Sequence, residues 1–148
     1  MEIIEKIKIK IRELSDLRYA VRATKSKTKS GYELAAVRRC PLCEGRPSRH
    51  FLFKLATSIQ GSEIHKELEK SISQKKWEEA SQIKEWSPKA DLHEYWVLKC
   101  PNNGEMALLG FVFTFELFAP DYHDEPKKLT TEESEVIGKI IGEQWIQL

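Results

Sequence analysis

Cys40, Cys43 and Cys100 are the only thiols of this 148-residue chain, and they fall in two short stretches. The first reads Cys40-Pro41-Leu42-Cys43; the second reads Cys100-Pro101-Asn102-Asn103-Gly104. A Cys-x-x-Cys turn lets both sulfurs face one point, and zinc takes four such ligands, usually Cys and His, in a tetrahedron. The second stretch supplies Cys100, but Asn103 stands where a fourth cysteine would complete the set, and an amide is a poor zinc ligand. Four outcomes are open for the fourth position. His50 lies seven residues after Cys43 and His93 seven before Cys100, so either imidazole can close the site. Water can fill the position, as at catalytic zinc, or the site can be a relic without metal.

CPLCEG and KCPNNGE resemble the two halves of a zinc ribbon, whose knuckles run Cys-Pro-x-Cys with a glycine just after. The resemblance covers residues 32 to 56 and 92 to 116. It implies two β-hairpins meeting at a zinc ion, with Cys40, Cys43 and Cys100 as ligands; His50 is the histidine taken beside them as the candidate fourth. The sequence departs from the ribbon at Asn103 and in the long helical stretch between the knuckles. Cys-Pro-x-Cys is also similar to the redox motif of glutaredoxin-like proteins, whose second half enters a helix that lowers the thiol pKa. Gly45 and Pro47 oppose a helix here, which argues against redox chemistry. His65-Lys66-Glu67 has the His-x-Glu spacing of zinc deaminases but lies downstream of the cysteine pair, and Arg39 rather than proline precedes Cys40. The sequence has no phosphate-cradling glycine loop, nucleophile elbow or HExxH. No catalytic residue is expected, and Asp121, His123 and Asp124 read as part of an acidic solvent loop.

Charge points to a partner. The formal net charge is +1, but between Arg18 and Lys54 ten basic residues meet only two acids, whereas from Gly110 onward eight acids meet three lysines. Lys25, Lys27 and Lys29 lie in TKSKTKS, a stretch with nothing apolar to bury. Arg38, Arg39, Arg46 and Arg49 flank the first knuckle, with Tyr32, Phe51 and Phe53 nearby for stacking. Lysines among small hydroxyl residues suit phosphate contact, and basic groups interleaved with aromatics suit single strands or RNA. The expectation is a nucleic-acid-binding module, part of a larger complex, with DNA and RNA both open. The alternative is a protein–protein adaptor or inhibitor subunit, of phage or mobile-element type, with Trp77, Trp86 and Trp145 as anchors.

The elements that must position these residues follow from periodicity. Residues 3 to 22 fit a helix or strands, with a lean towards strand at 5 to 12. Thr24 to Ser30 is a solvated loop or the tip of a long hairpin. Tyr32 to Arg39 and Arg49 to Ile59 are strands either side of the first knuckle; Leu92 to Lys99 and Met106 to Phe118 are strands either side of the second. The last is apolar enough to predict a strand central in its sheet. Between the hairpins, Ile64, Leu68 and Ile72 mark one helix face. Ser73 is placed to cap a second helix with Trp77, Ala80, Ile83 and Trp86, ended by Pro88. Pro120 to Pro126 reads as an acidic loop, Thr130 to Glu133 as a capping box, and Val136, Ile137, Ile140, Ile141 and Trp145 as the stripe of a final helix. The fold class expected is α+β: antiparallel β-hairpins of zinc-ribbon type, an inserted αα-hairpin and a C-terminal helix, in a single domain over 1–148. No run is long enough to span a bilayer and the charged N-terminus is unlike a signal peptide, so no membrane role and a cytoplasmic location are expected.

Overall fold

The computed structural model describes residues 21–25, 32–36, 40–43, 45, 49–87, 89–114, 119–122 and 126–147. The expectations for 3 to 20, and for most of the TKSKTKS stretch, lie outside these residues.

The fold is α+β. Strands β1 (Val21–Lys25) and β2 (Tyr32–Ala36) pair antiparallel with each other. The other strands are β3 (Phe51–Ile59), β4 (Leu92–Lys99), β5 (Met106–Thr114), β6 (Ala119–Tyr122), β7 (Lys127–Lys128) and β8 (Ile146–Gln147). They form one antiparallel sheet in the order β6-β5-β4-β3-β8, with β7 beside β6 on the outer edge of β5. The helices are α1 (Glu63–Ser73), α2 (Trp77–Ser81) and α3 (Thr131–Ile141).

One expectation about the sheet is corrected. Among the described residues, the strand before the first knuckle (Tyr32–Ala36) pairs with Val21–Lys25 in a two-stranded sheet of its own and not with the strand after the knuckle. The first ribbon hairpin is therefore replaced by a β3–β4 pair that joins the strand after the first knuckle to the strand before the second. β5 is interior to the sheet, as expected, with β4 on one side and β6 and β7 on the other; β4 is interior too, and every residue from Leu92 to Leu98 is buried. Tyr95 and Val97 face the helices, while Trp96, Leu98, Leu52 and Leu109 are fully buried on the other face. Burial on both sides explains why this strand shows no polar alternation.

A bulge interrupts the regular pleat of β3. Lys54 pairs with Trp96 and Ala56 with Tyr95, so Leu55 is an extra residue. Leu55 to Ser58 are then all buried, where strict alternation would expose every second one. The outer edge of β3 is covered by β8 at Phe51 and Leu52, and by residues 83–85 further along: Thr57 N–H donates to Ile83 O and Glu85 N–H to Thr57 O.

The helices lie on one face of this sheet. Ser62 caps α1, its Oγ accepting from His65 N–H at 3.0 Å. The buried face of α1 is His65, Leu68 and Ser71, with Ile72 packed against the core; of the expected stripe, Leu68 and Ile72 face inward and Ile64 is 39% exposed. Ser73 does not cap α2: its hydroxyl donates back to Lys70 O, and the turn is made by Lys75 at φ 58°. Nor does Pro88 end α2, which stops at Ser81 because residues 83–85 are drawn onto the β3 edge. Trp77 is buried at 5% exposure among Leu68, Ala80 and Ile137, so it is a core residue and not a partner anchor. On α3 the Thr130–Glu133 capping box forms as expected. Ile137 and Ile141 are fully buried, Ile140 and Trp145 pack against the core, and Val136 points outward. The expected acidic loop begins as the edge strand β6, where Pro120 needs no ladder donor. Among the described residues no helix is long and apolar enough to cross a membrane.

Candidate metal centre

The β3–β4 register sets up the centre. Phe51 pairs with Lys99, so one step beyond it His50 enters β3 where Cys100 leaves β4. Both are fully buried at that end of the sheet. Arg49, at φ 69°, turns the chain into β3 just before His50. The first knuckle closes over the same point, with Cys40 N–H donating to Gly45 O at 3.0 Å. The second knuckle closes in the same way, with Cys100 N–H donating to Glu105 O at 2.9 Å and Gly104 N–H to Cys100 O at 2.9 Å. Gly104 sits at φ 72°, a conformation glycine adopts without a Cβ clash.

These turns bring Cys40, Cys43, His50 and Cys100 together, with one ligand atom from each lying within 4.8 Å of all the others. They are close enough to hold a metal ion. The donor set fits zinc on three counts. Three thiols and an imidazole form a Cys₃His set. The Cys43 Sγ to His50 Nε2 separation is 3.5 Å, close to the roughly 3.6 Å expected for tetrahedral ligands at zinc–sulfur and zinc–nitrogen bond lengths. Backbone N–H groups of Leu42 and Cys43 donate to Cys40 Sγ at 3.3 and 3.4 Å, and Asn102 Nδ2 donates to Cys43 Sγ at 3.4 Å. Donors aimed at sulfur stabilise thiolate, the form a metal takes.

The two cysteines of the first knuckle are electrostatically unlike. Burial pushes the Cys40 thiol up to about 12, against the opposing pull of the Cys43 and Leu42 N–H groups. Burial also opposes ionisation of Cys43, but Asn102, the Gly45 backbone, His50 and Cys100 together bring it down to about 6. The first knuckle thus offers one ready thiolate and one thiol that must give up a proton when metal binds.

Asn103, the expected gap in the ligand set, has a structural task. Its Nδ2 donates to Leu42 O at 3.4 Å and its Oδ1 accepts from Glu105 N–H at 3.0 Å. It ties the second knuckle to the first, while His50 is the fourth member of the cluster. The other imidazole considered, His93, is at the far end of β4, opposite Ser58, and lies with His65 and Glu69 instead. That second grouping carried no sequence signal beyond the i, i+4 spacing of His65 and Glu69.

Of the basic residues expected to meet nucleic acid, Arg49 is described, exposed beside the centre, and Lys25 ends β1. Lys27, Lys29, Arg38, Arg39 and Arg46 lie outside the described residues, as do His123 and Asp124. Compared with protein families, curated proteins and solved structures, the chain matches none of them. The functional reading therefore rests on the site itself.

Proposed function

We propose that this protein is a zinc-binding, nucleic-acid-binding module without catalytic activity, in which the metal holds a basic segment in place. The observation that carries the reading is the convergence of Cys40, Cys43, His50 and Cys100 at the end of the β3–β4 pair. Zinc there would cross-link the first knuckle to the sheet. Arg38, Arg39, Arg46 and Arg49 bracket that knuckle in sequence, so pinning the knuckle limits the space in which four guanidinium groups move. Lys25, Lys27 and Lys29 extend the basic run. Arginine pairs with phosphate in a planar, bidentate way and stacks on bases, which suits an RNA or single-stranded partner.

The test is a binding screen with single-stranded DNA, duplex DNA and RNA across a salt series, run on zinc-loaded protein. Affinity should fall steeply with salt, and replacing Arg38, Arg39, Arg46 and Arg49 should lessen both the affinity and the salt slope. Arg49→Gly is a usable single change, since glycine tolerates φ 69° and the guanidinium is removed without straining that turn. Absence of binding to every nucleic acid at low salt would overturn the reading. Capture of a stoichiometric protein partner by the same preparation would then favour the adaptor role.

A further inference from the structure

We propose that His65, Glu69 and His93 are the ligands of a second divalent-metal site, of the two-imidazole, one-carboxylate kind. It lies at the opposite end of the β3–β4 pair from the cysteine centre. His65 and Glu69 are one turn apart on α1, so both side chains leave the same face of the helix. His93 comes from β4, on the helix-facing side with Tyr95. One ligand atom from each of the three lies within 4.8 Å of the others. His65 Nε2 is 3.0 Å from Glu69 Oε1 and 2.5 Å from His93 Nδ1, and His93 Nδ1 is 3.6 Å from the same carboxylate oxygen. The two imidazole planes stand at 88° to each other. Two ring nitrogens and a carboxylate oxygen thus lie around one small volume. Binding an ion would part the two nitrogens to about 3.3 Å, a movement of under about one ångström, at zinc–nitrogen distances near 2 Å.

The surroundings favour an ion that keeps open positions. His93 is fully buried and His65 nearly so, while the Glu69 side chain is 44% exposed. Solvent therefore reaches the carboxylate side, where water or a small ligand would complete the coordination. Imidazole with carboxylate selects zinc, iron, cobalt or nickel over magnesium and calcium, which prefer oxygen alone.

One contact must change on binding, and the local turn can change it. Gly61 N–H donates to His65 Nδ1 at 2.8 Å, so that nitrogen carries no proton. A metal on Nε2 of a neutral imidazole requires the proton on Nδ1, facing an acceptor. Gly61 is at φ 82° in a turn closed by Ser62 N–H to Ile59 O, and Gln60 is not at positive φ, which defines a type II turn with glycine third. Type I and type II turns differ by a flip of the central peptide. Flipping Gln60–Gly61 keeps the closing bond and brings the Gln60 carbonyl round to accept from His65 Nδ1–H.

The proposal does not rest on the cysteine centre, and cobalt(II) titration of the reduced chain separates the two. A cysteine-bound ion gives strong thiolate-to-metal charge transfer, whereas an ion on His65, Glu69 and His93 gives only weak ligand-field bands. The wild type should take up a component without charge transfer. Glu69→Gln, a change at a half-exposed side chain, should weaken that component about tenfold or more while leaving the thiolate bands intact. Gly61→Ala, where a Cβ meets nothing within 4 Å but φ 82° is disfavoured, should tighten it several-fold by favouring the flipped turn. Uptake of thiolate-bound cobalt only, or a second component indifferent to Glu69→Gln, would overturn the site. It would leave a proton-sharing histidine pair in its place. Unchanged affinity in Gly61→Ala would remove the turn from the proposal.

Discussion

Asn102 donates its side-chain amide to Cys43 Sγ at 3.4 Å, from the knuckle that lacks a second cysteine to the knuckle that has one. The contact makes the second knuckle an electrostatic partner of the first as well as the source of Cys100. In metal-free protein Cys43 should therefore be the reactive thiol. It is a thiolate above about pH 6, whereas burial keeps Cys40 protonated up to about 12. Alkylation of reduced, chelator-treated protein should label Cys43 first, with a rate that rises as pH passes through about 6 and then levels. Asn102→Ala should move that midpoint upward by removing a donor to the thiolate. Peptide mapping of the alkylated protein checks both statements, and equal labelling of Cys40 and Cys43 at neutral pH would contradict them. Bound zinc should protect all three thiols.

Metal should couple to stability. The cluster joins a turn to one end of the β3–β4 pair, and an ion bound only by the folded chain stabilises it by about 4 kcal/mol at a free concentration a thousandfold above Kd. The melting temperature should rise with zinc and fall with chelator. Because Cys40 must release a proton to bind, the zinc-dependent part should grow as pH increases. His50→Ala should abolish most of that dependence. Asn103→Ala should keep it and cost no more than about 1 kcal/mol, the scale of a hydrogen bond at an exposed residue. Thermal denaturation with and without zinc separates the two variants; a loss of zinc response in Asn103→Ala would make Asn103 part of the coordination.

The sequence made the element types legible and left their pairing obscure. The capping box at Thr130 and the strand at Leu92 to Lys99 could be read because a few adjacent side chains decide them. The partner of Tyr32–Ala36 could not, because an antiparallel strand of that length fits beside several neighbours and only tertiary packing chooses. The same holds for Leu55, whose extra place in β3 is set by Tyr95 and Trp96 on the facing strand. Cys40, Cys43 and Cys100 stood out by type and spacing. His50 and His93 were equivalent by distance from a cysteine, and it was the β3–β4 register, invisible in the sequence, that put His50 beside Cys100 and sent His93 to the other end. Trp77 looked like an anchor because aromatic content marks an interface and a core alike.

At the start of α3, Thr130 Oγ1 accepts from Glu133 N–H at 3.1 Å and Glu133 Oε1 accepts from Thr130 N–H at 3.0 Å. Thr130→Ala should cost about 1 kcal/mol in chemical denaturation. Burial works against the Glu133 carboxylate, but the Thr130 bonds and the nearby Lys75 and Lys127 hold its pKa below the ordinary carboxylate value. A depressed carboxylate contributes stability that is complete above its unfolded pKa and is lost as pH falls through its folded one. Glu133→Gln should accordingly narrow the stability difference between neutral and acid pH, and an unchanged acid limb would show that Glu133 carries none of it.

Glu85 links the extended segment after α2 to the start of α1, and through it to His65. Its Oε1 accepts from Ile59 N–H at 2.7 Å and from Ser62 Oγ at 2.6 Å, while Ser62 Oγ in turn accepts from His65 N–H. One carboxylate oxygen thus orients the hydroxyl that caps α1. Ser62→Ala removes the cap and one donor to Glu85, leaves the Ile59 bond to that carboxylate, and should cost about 1 kcal/mol. Glu85→Ala leaves the Ile59 amide and the Ser62 hydroxyl without their acceptor and should cost about 1–3 kcal/mol. If the two residues act as one unit, the double variant should lose less than the sum of the single losses, since each change disables the same cap. Additive losses in urea denaturation would mean that Glu85 holds the β3 edge and the helix start independently. The amide of His65 would then owe its position to Ser62 alone.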